Sequence, residues 1–155
     1  MYWRLPHAEY EANKGQANKE MLKRQIQKKM HLGILAFDNS LPVAWCSISP
    51  KTELPRLKSS RLFKNIPEVK GAWSITCLYV HQGYRGQGIS TKIIAAAADH
   101  AFDQGATNIE AYPIVPRSKM PAVFAWVGFA SSFESAGFKK IVQVSDTRAF
   151  MRLTA

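Results

Sequence analysis

The stretch Cys77-Leu-Tyr-Val-His-Gln-Gly-Tyr-Arg-Gly-Gln-Gly-Ile-Ser-Thr-Lys92 decides how the rest of the chain is read. It belongs to a β-prone run over 72–80, passes a Gly-rich turn at 84–88 and enters an Ala-rich helical stretch, 89–102, that stops near Gly105. Gly86 and Gly88 let the backbone approach a ligand closely. The free N–H groups and positive dipole end of the following helix suit a phosphate. Ser90 and Thr91 add hydroxyl donors, and Arg85 adds a permanent charge able to fork onto phosphate oxygens. A tight turn with a helix cap would use the same residue types, so spacing has to discriminate. A P-loop requires Gly-Lys-Ser/Thr, and here Gly88 is followed by Ile89. A dinucleotide fingerprint has a third glycine where Thr91 stands. Glu110 lies at a ribose-binding distance onward, but the chain has one βαβ unit and no room for a second half.

Working outward, Tyr2-Trp-Arg-Leu alternates and predicts an opening strand. Met21, Leu22, Ile26 and Met30 make an apolar stripe for a helix over 17–30, with lysines on its other faces, an i,i+4 pair from Glu20 to Arg24, and Gly33 as its stop. Runs at 34–37 and 43–49 flank the turn 38–42 and predict a β-hairpin. Pro50, Pro55 and Pro67 mark a long connection over 50–71, with a short helix near 57–63; connections of that length are often functional. Downstream, 108–112 reads as a strand ended by Pro113, 123–136 as a helix stopped by Gly137, and 139–144 with 148–153 as a closing hairpin. Strands joined by short turns pair antiparallel, and only strands joined through a helix can be parallel. The expected architecture is therefore an α/β (α+β) mixed sheet with helices on both faces, in one domain over 1–155.

The 155 residues carry 21 Lys+Arg against 11 Asp+Glu. With 46% hydrophobic residues, 9 Gly and 8 Pro, disordered and collagen-like classes are excluded. The net charge of +10 favours polyanionic partners. Nucleic acid is set aside, because no paired Cys/His zinc spacing, heptad zipper or aromatic RNA-binding signature accompanies the lysines. No apolar run reaches the roughly 18–20 residues of a membrane span, and the first residues lack a secretory layout. Two cysteines, Cys46 and Cys77, sit in apolar runs and read as buried thiols of a cytoplasmic protein. His7, His31 and His100 show no metal spacing.

Arg85-Gly-Gln-Gly88-Ile-Ser90, following a strand and opening a helix, resembles motif A of the GNAT superfamily of N-acetyltransferases, Arg/Gln-x-x-Gly-x-Gly/Ala. Its last position is Ser rather than Gly or Ala. Phe133-Glu-Ser-Ala-Gly137-Phe138 is similar to the aromatic-Glu-x-x-Gly-Phe stretch of the same family, and the element order matches from end to end. The resemblance implies a GNAT-like sheet, mostly antiparallel, with one splayed parallel pair formed by 73–80 and 108–112. It implies acetyl-CoA as cosubstrate, its pantetheine on backbone groups of Leu78, Tyr79 and Val80, and its pyrophosphate on Arg85, Gly86, Gln87, Gly88, Ile89, Ser90 and Thr91. It also places Phe133 beside the cofactor and makes an amine the second partner, with a second copy of the chain left open.

The resemblance further implies direct attack of the amine on the thioester, with the Val80 or Leu78 N–H stabilising the oxyanion. Glu110, on the strand lining the cleft, is the leading base, and His81 is the second. Many relatives place an acidic Tyr where Phe133 stands here. Tyr112 or Tyr79 would have to replace it, or the thiolate leaves unassisted, as a thiol of pKa ~8.5 can. Cys46 as an acyl carrier is a minor alternative. Tyr10, Trp45, Trp73, Trp126 and Phe129 would line an acceptor pocket or fill the core. A module that binds acyl-CoA without catalysis is the alternative function.

Overall fold

The computed structural model describes residues 1–28, 30–63, 65–118, 120 and 125–155. Two helices, α1 (His7–Ala12) and α2 (Gln16–Gln27), precede the hairpin of β1 (Ile34–Asp38) and β2 (Leu41–Pro50). A 3-10 turn, Lys51–Glu53, and the short α3 (Pro55–Lys58) lead into β3 (Ala72–Val80). Then follow a second 3-10 turn (Gln82–Tyr84), α4 (Ile89–Asp103), β4 (Asn108–Ala111), α5 (Ala130–Ser135), β5 (Lys139–Ser145) and β6 (Arg148–Thr154). The strands form one sheet in the order β1-β2-β3-β4-β6-β5. Only β3 and β4 run parallel, Ala72 opposite Asn108 through Ile75 opposite Ala111, and their pairing stops there. Beyond that point the chains part. Pro113, which has no N–H to donate, follows β4, and its carbonyl instead accepts from Ala149 N at 3.1 Å.

Helices α4 and α5 cover one face. Ile93, Ile94, Ala97, Ala98 and Ala101 repeat at helical spacing and are buried against Ile75, Ile109, Ala111 and Met151. Alternation sends Glu110, Tyr112 and Phe150 to the opposite face, where Leu54, Leu57 and Phe63 of the long connection meet Tyr112 and Phe150.

Four expectations need correction. Tyr2–Leu5 is a turn, not a strand, because the backbone closes on itself through Arg4 N to Met1 O at 2.9 Å. Helix α2 ends six residues before Gly33, and its stripe is not core: Ile26 is 59% exposed, and Asn18 is the buried residue. Gly33 instead sits where the chain presses on β2, since a Cβ there would collide with the Cys46 carbonyl. In the 50–71 connection the helix comes earlier than expected, at Pro55–Lys58, because Pro55 opens it. The helix expected over 123–136 is only α5, which begins at Ala130; residues 123 and 124 lie outside the described residues. Gly128 has φ +80°, and a Cβ on it would lie 2.6 Å from Leu78 Cδ1 and 2.8 Å from Phe133 Cε2, so the chain here is a close-packed crossing.

Candidate active site

Where β3 leaves β4, it carries an extra residue. Ser47 pairs with Cys77 and Ile48 with Ile75, which leaves Thr76 as a bulge. A bulge bends a strand and increases its twist, and here it marks the start of a cleft of about 350 Å³. Leu78, Tyr79 and Val80 form one wall, and Trp126, Gly128 and Phe129 form the other. The turn and the first residues of α4, through Arg85, Gly86, Gly88, Ile89 and Ser90, make its mouth.

Strand register says which backbone groups face this cleft. His81 N donates to Val43 O at 2.8 Å, and Ala44 lies opposite Val80. In an antiparallel ladder the next pairs then alternate, so the N–H and C=O of Val80 and Leu78 point away from β2 into the gap. The Leu78 N–H is taken by Trp126 O at 2.7 Å, and Arg85 Nε donates to Val80 O at 3.0 Å. The Val80 N–H is left with no partner among the described residues, which favours it over Leu78 as an oxyanion donor.

The turn at 84–88 has the backbone that the sequence required. Gly86 and Gly88 have φ +75° and +74°, and a Cβ on either would meet nothing within 4 Å, so both face open space. Tyr84 Oη donates to Asp38 Oδ2 at 2.7 Å, which anchors the turn to the β1–β2 hairpin and holds the phenol above its ordinary pKa. Gln87 Nε2 donates to Gly83 O at 3.2 Å; neither Gln87 nor Thr91 lines the cleft.

Other expected site residues stand apart from the cleft. Glu110 is 0% exposed; its Oε2 meets Lys51 Nζ at 2.7 Å and Tyr112 Oη at 2.9 Å, and its Oε1 meets Arg152 Nη2 at 3.2 Å. It sits beside Ser74, in the closed part of the strand pair. This carboxylate, expected to act as base, is held by two cations and a phenol and does not line the cleft. Tyr112 is buried against Phe63, its phenol turned to Glu110, and burial followed by the Glu110 charge holds it well above the usual tyrosine pKa. Expected as a proton donor to sulfur, it does not line this cleft. Phe133 is wholly buried and packs on Phe138 at a ring separation of 5.2 Å, behind the cleft wall rather than beside a ligand. His81 Nδ1 accepts from Gly83 N at 3.3 Å and caps the 3-10 turn. Cys46 is buried and burial drives its thiol pKa far upward, which removes it as a nucleophile; Cys77, expected to be buried, is half-buried.

Sequence reading missed Gly128 and Ser132, both on the cleft wall; Trp126 and Phe129, expected to line an acceptor pocket or fill the core, stand on that same wall. The clustering of Trp126, Gly128 and Phe129 just before the recognised 133–138 stretch was the available signal.

Residues 1–129 match the acetyltransferase (GNAT) family, and the chain belongs to that family. The solved structures that share its fold include the aminoglycoside acetyltransferase AAC(6')-Ib with coenzyme A, at 20% identity over 77% of this chain and 64% of that one, TM-score 0.53. The PaiA N-acetyltransferase of Thermoplasma acidophilum with coenzyme A is 14% identical over 99% of this chain and 85% of that one, TM-score 0.58. The yncA protein of Salmonella typhimurium with acetyl-CoA is 14% identical over 90% and 74%, TM-score 0.58. The chain thus spans 64% of the aminoglycoside enzyme's length. No curated protein sequence matches it.

Proposed function

We propose that this chain, as one domain, transfers an acetyl group from acetyl-CoA to a primary amine. The observation that carries the reading is the cleft at the parting of β3 and β4. It ends on the exposed amides of Gly86 and Gly88 and the N-terminus of the 15-residue α4. Those amides, Ser90 and the first turn of α4 would hold the pyrophosphate, while the Leu78 C=O would hold the pantetheine arm. Acetyl-CoA supplies an activated acyl carbon. In the transfer a nitrogen–carbon bond forms, the carbon–sulfur bond breaks, the amine loses a proton to water and the thiolate takes one from water.

Within that scheme the Val80 N–H stabilises the negative charge that develops on the carbonyl oxygen. With Phe133 in the core, no side chain at that position donates to sulfur, and a thiol of pKa ~8.5 leaves without a dedicated acid. No Asp, Glu or His lines the cleft among the described residues, so proton removal rests on desolvating the ammonium form, which lowers its pKa. Among the described residues no helix is long and apolar enough to cross a membrane. The unpaired thiols support a reducing, cytoplasmic location. The test is direct: coenzyme A should raise the melting temperature, and acetyl-CoA with an amine should release free thiol. Stabilisation without thiol release on any amine would leave a binding module, and no stabilisation would overturn the cleft assignment.

A further inference from the structure

We propose that the acceptor is a small apolar amine, aromatic for preference, that carries a carboxylate. The proposal rests on the acetyltransferase reading and deepens it.

Two adjoining cavities of about 200 and 190 Å³ lie on the face of β3 away from α4 and share Tyr2, Trp3, Thr76 and Trp126. Trp126 also walls the cofactor cleft, so these cavities begin where the cleft ends. Their size suits a ligand of amino-acid dimensions at the lower edge of small-molecule sites. Their walls are aromatic: the Tyr2 ring stands 5.0 Å from that of Trp3 and 5.7 Å from that of Trp126, both edge to face. Such walls favour a flat apolar side chain.

The charges around the cavities have one sign. No Asp, Glu or His lines either cavity among the described residues; the charged liners are Arg4, Arg148 and Met1 with its α-ammonium. Arg4 is spoken for, through Glu53, the His31 carbonyl and Ser49. Arg148 uses one arm on the Tyr112 carbonyl, at 3.1 Å, and pairs with no carboxylate among the described residues. Arg56 lies 3.7 Å over the Tyr2 ring, and its Nη1 is buried with no partner. Trp3 Nε1 is likewise buried and unpartnered. Buried donors without acceptors are rare in folded proteins. Of these residues Trp3 lines both cavities and Arg148 the second, and a carboxylate there would supply the anionic partner that the Arg148 guanidinium lacks among the described residues. The same setting repels a polycation, and it lowers the pKa of a bound amine so that the attacking form is the neutral one.

The test uses the full chain with acetyl-CoA and three probes: L-phenylalanine, phenethylamine and kanamycin. Thiol release gives kcat and KM. Quenching of tryptophan fluorescence in the coenzyme A complex gives binding without turnover, since Trp3, Trp45 and Trp126 line the cavities. L-Phenylalanine should bind saturably and exceed phenethylamine by about 10- to 100-fold in kcat/KM, the range of one charge-assisted hydrogen bond. Arg148→Met should raise KM for L-phenylalanine by a similar factor and leave phenethylamine within about 2-fold, a split that loss of folding would not produce. A preference for kanamycin, or no saturable binding of L-phenylalanine by the coenzyme A complex, would overturn the proposal. Failure of coenzyme A to bind at all would instead overturn the acetyltransferase reading on which it stands.

Discussion

From Ala72 to Ile75, β3 lies in register against β4; from Thr76 onward the same strand has let go of its neighbour. The first half is locked from behind by Glu110, which ties β4 to β6 through Arg152 and to the turn after β2 through Lys51. The second half has no such lock. Its ladder is interrupted by the Thr76 bulge, and β4 runs into Pro113. Both halves contain polar groups: the closed half gathers Glu110, Lys51, Arg152 and Tyr112 into one network, with Ser74 Oγ left unpartnered, while the open half leaves the Val80 N–H without a partner among the described residues. The comparison separates the residues that keep the strands together from those that use their separation.

The largest expected effect falls on the closed half. Glu110→Ala leaves two cations without their shared partner in a buried site and should cost about 3–5 kcal/mol of unfolding free energy. Folded protein should bind coenzyme A as before. Denaturant melts together with coenzyme A titrations read both quantities, and lost turnover at unchanged stability would return Glu110 to a catalytic role. Gly88→Val addresses the open half. The new side chain meets open space, so the cost is the left-handed backbone alone, about 1–2 kcal/mol. Relief of that strain turns the amides away, and coenzyme A affinity should fall by about 10-fold or more, measured by calorimetry. Equal affinity in both proteins would remove the turn from the binding site.

The smallest effect is on pH dependence. Burial raises the pKa of the Cys46 thiol and, with the Glu110 charge, of the Tyr112 phenol. Both are acids whose neutral form is favoured by folding. Their contribution is complete below the unfolded values of about 8.5 and 10, and it is lost as pH rises beyond them. Stability should therefore hold at neutral pH and decline above about pH 8.5, by at most about 1.4 kcal/mol per unit for each group. Iodoacetamide at pH 8 should modify half-buried Cys77 before Cys46; the reverse order would contradict the placement of β2 inside the sheet.

Much of the open half was legible in the sequence because its signals are local. The turn from Arg85 to Gly88, the strand before it and the helix after it each follow from neighbouring residues. The closed half was legible as strands but not as a lock: Lys51, Glu110 and Arg152 come together only through the sheet order, so Glu110 read as an available carboxylate. The stripe of α2 had helical spacing, but spacing does not say whether anything covers it, and Ile26 stays exposed. The crossing at Trp126–Phe129 was masked by its composition, whose apolar residues resemble a helix until Gly128 is seen in a left-handed conformation against Leu78.

Thr76 carries one more consequence. In an unbroken ladder containing every residue of β3, the inside-outside assignment would invert after Ile75, burying Tyr79 and turning Leu78 outward. The supernumerary residue restores the assignment while kinking the ribbon. A chain one residue shorter at this point would keep each side chain on its present side and lose only the kink. Curvature and side-chain placement, fused in almost every point substitution, are here separable by length alone.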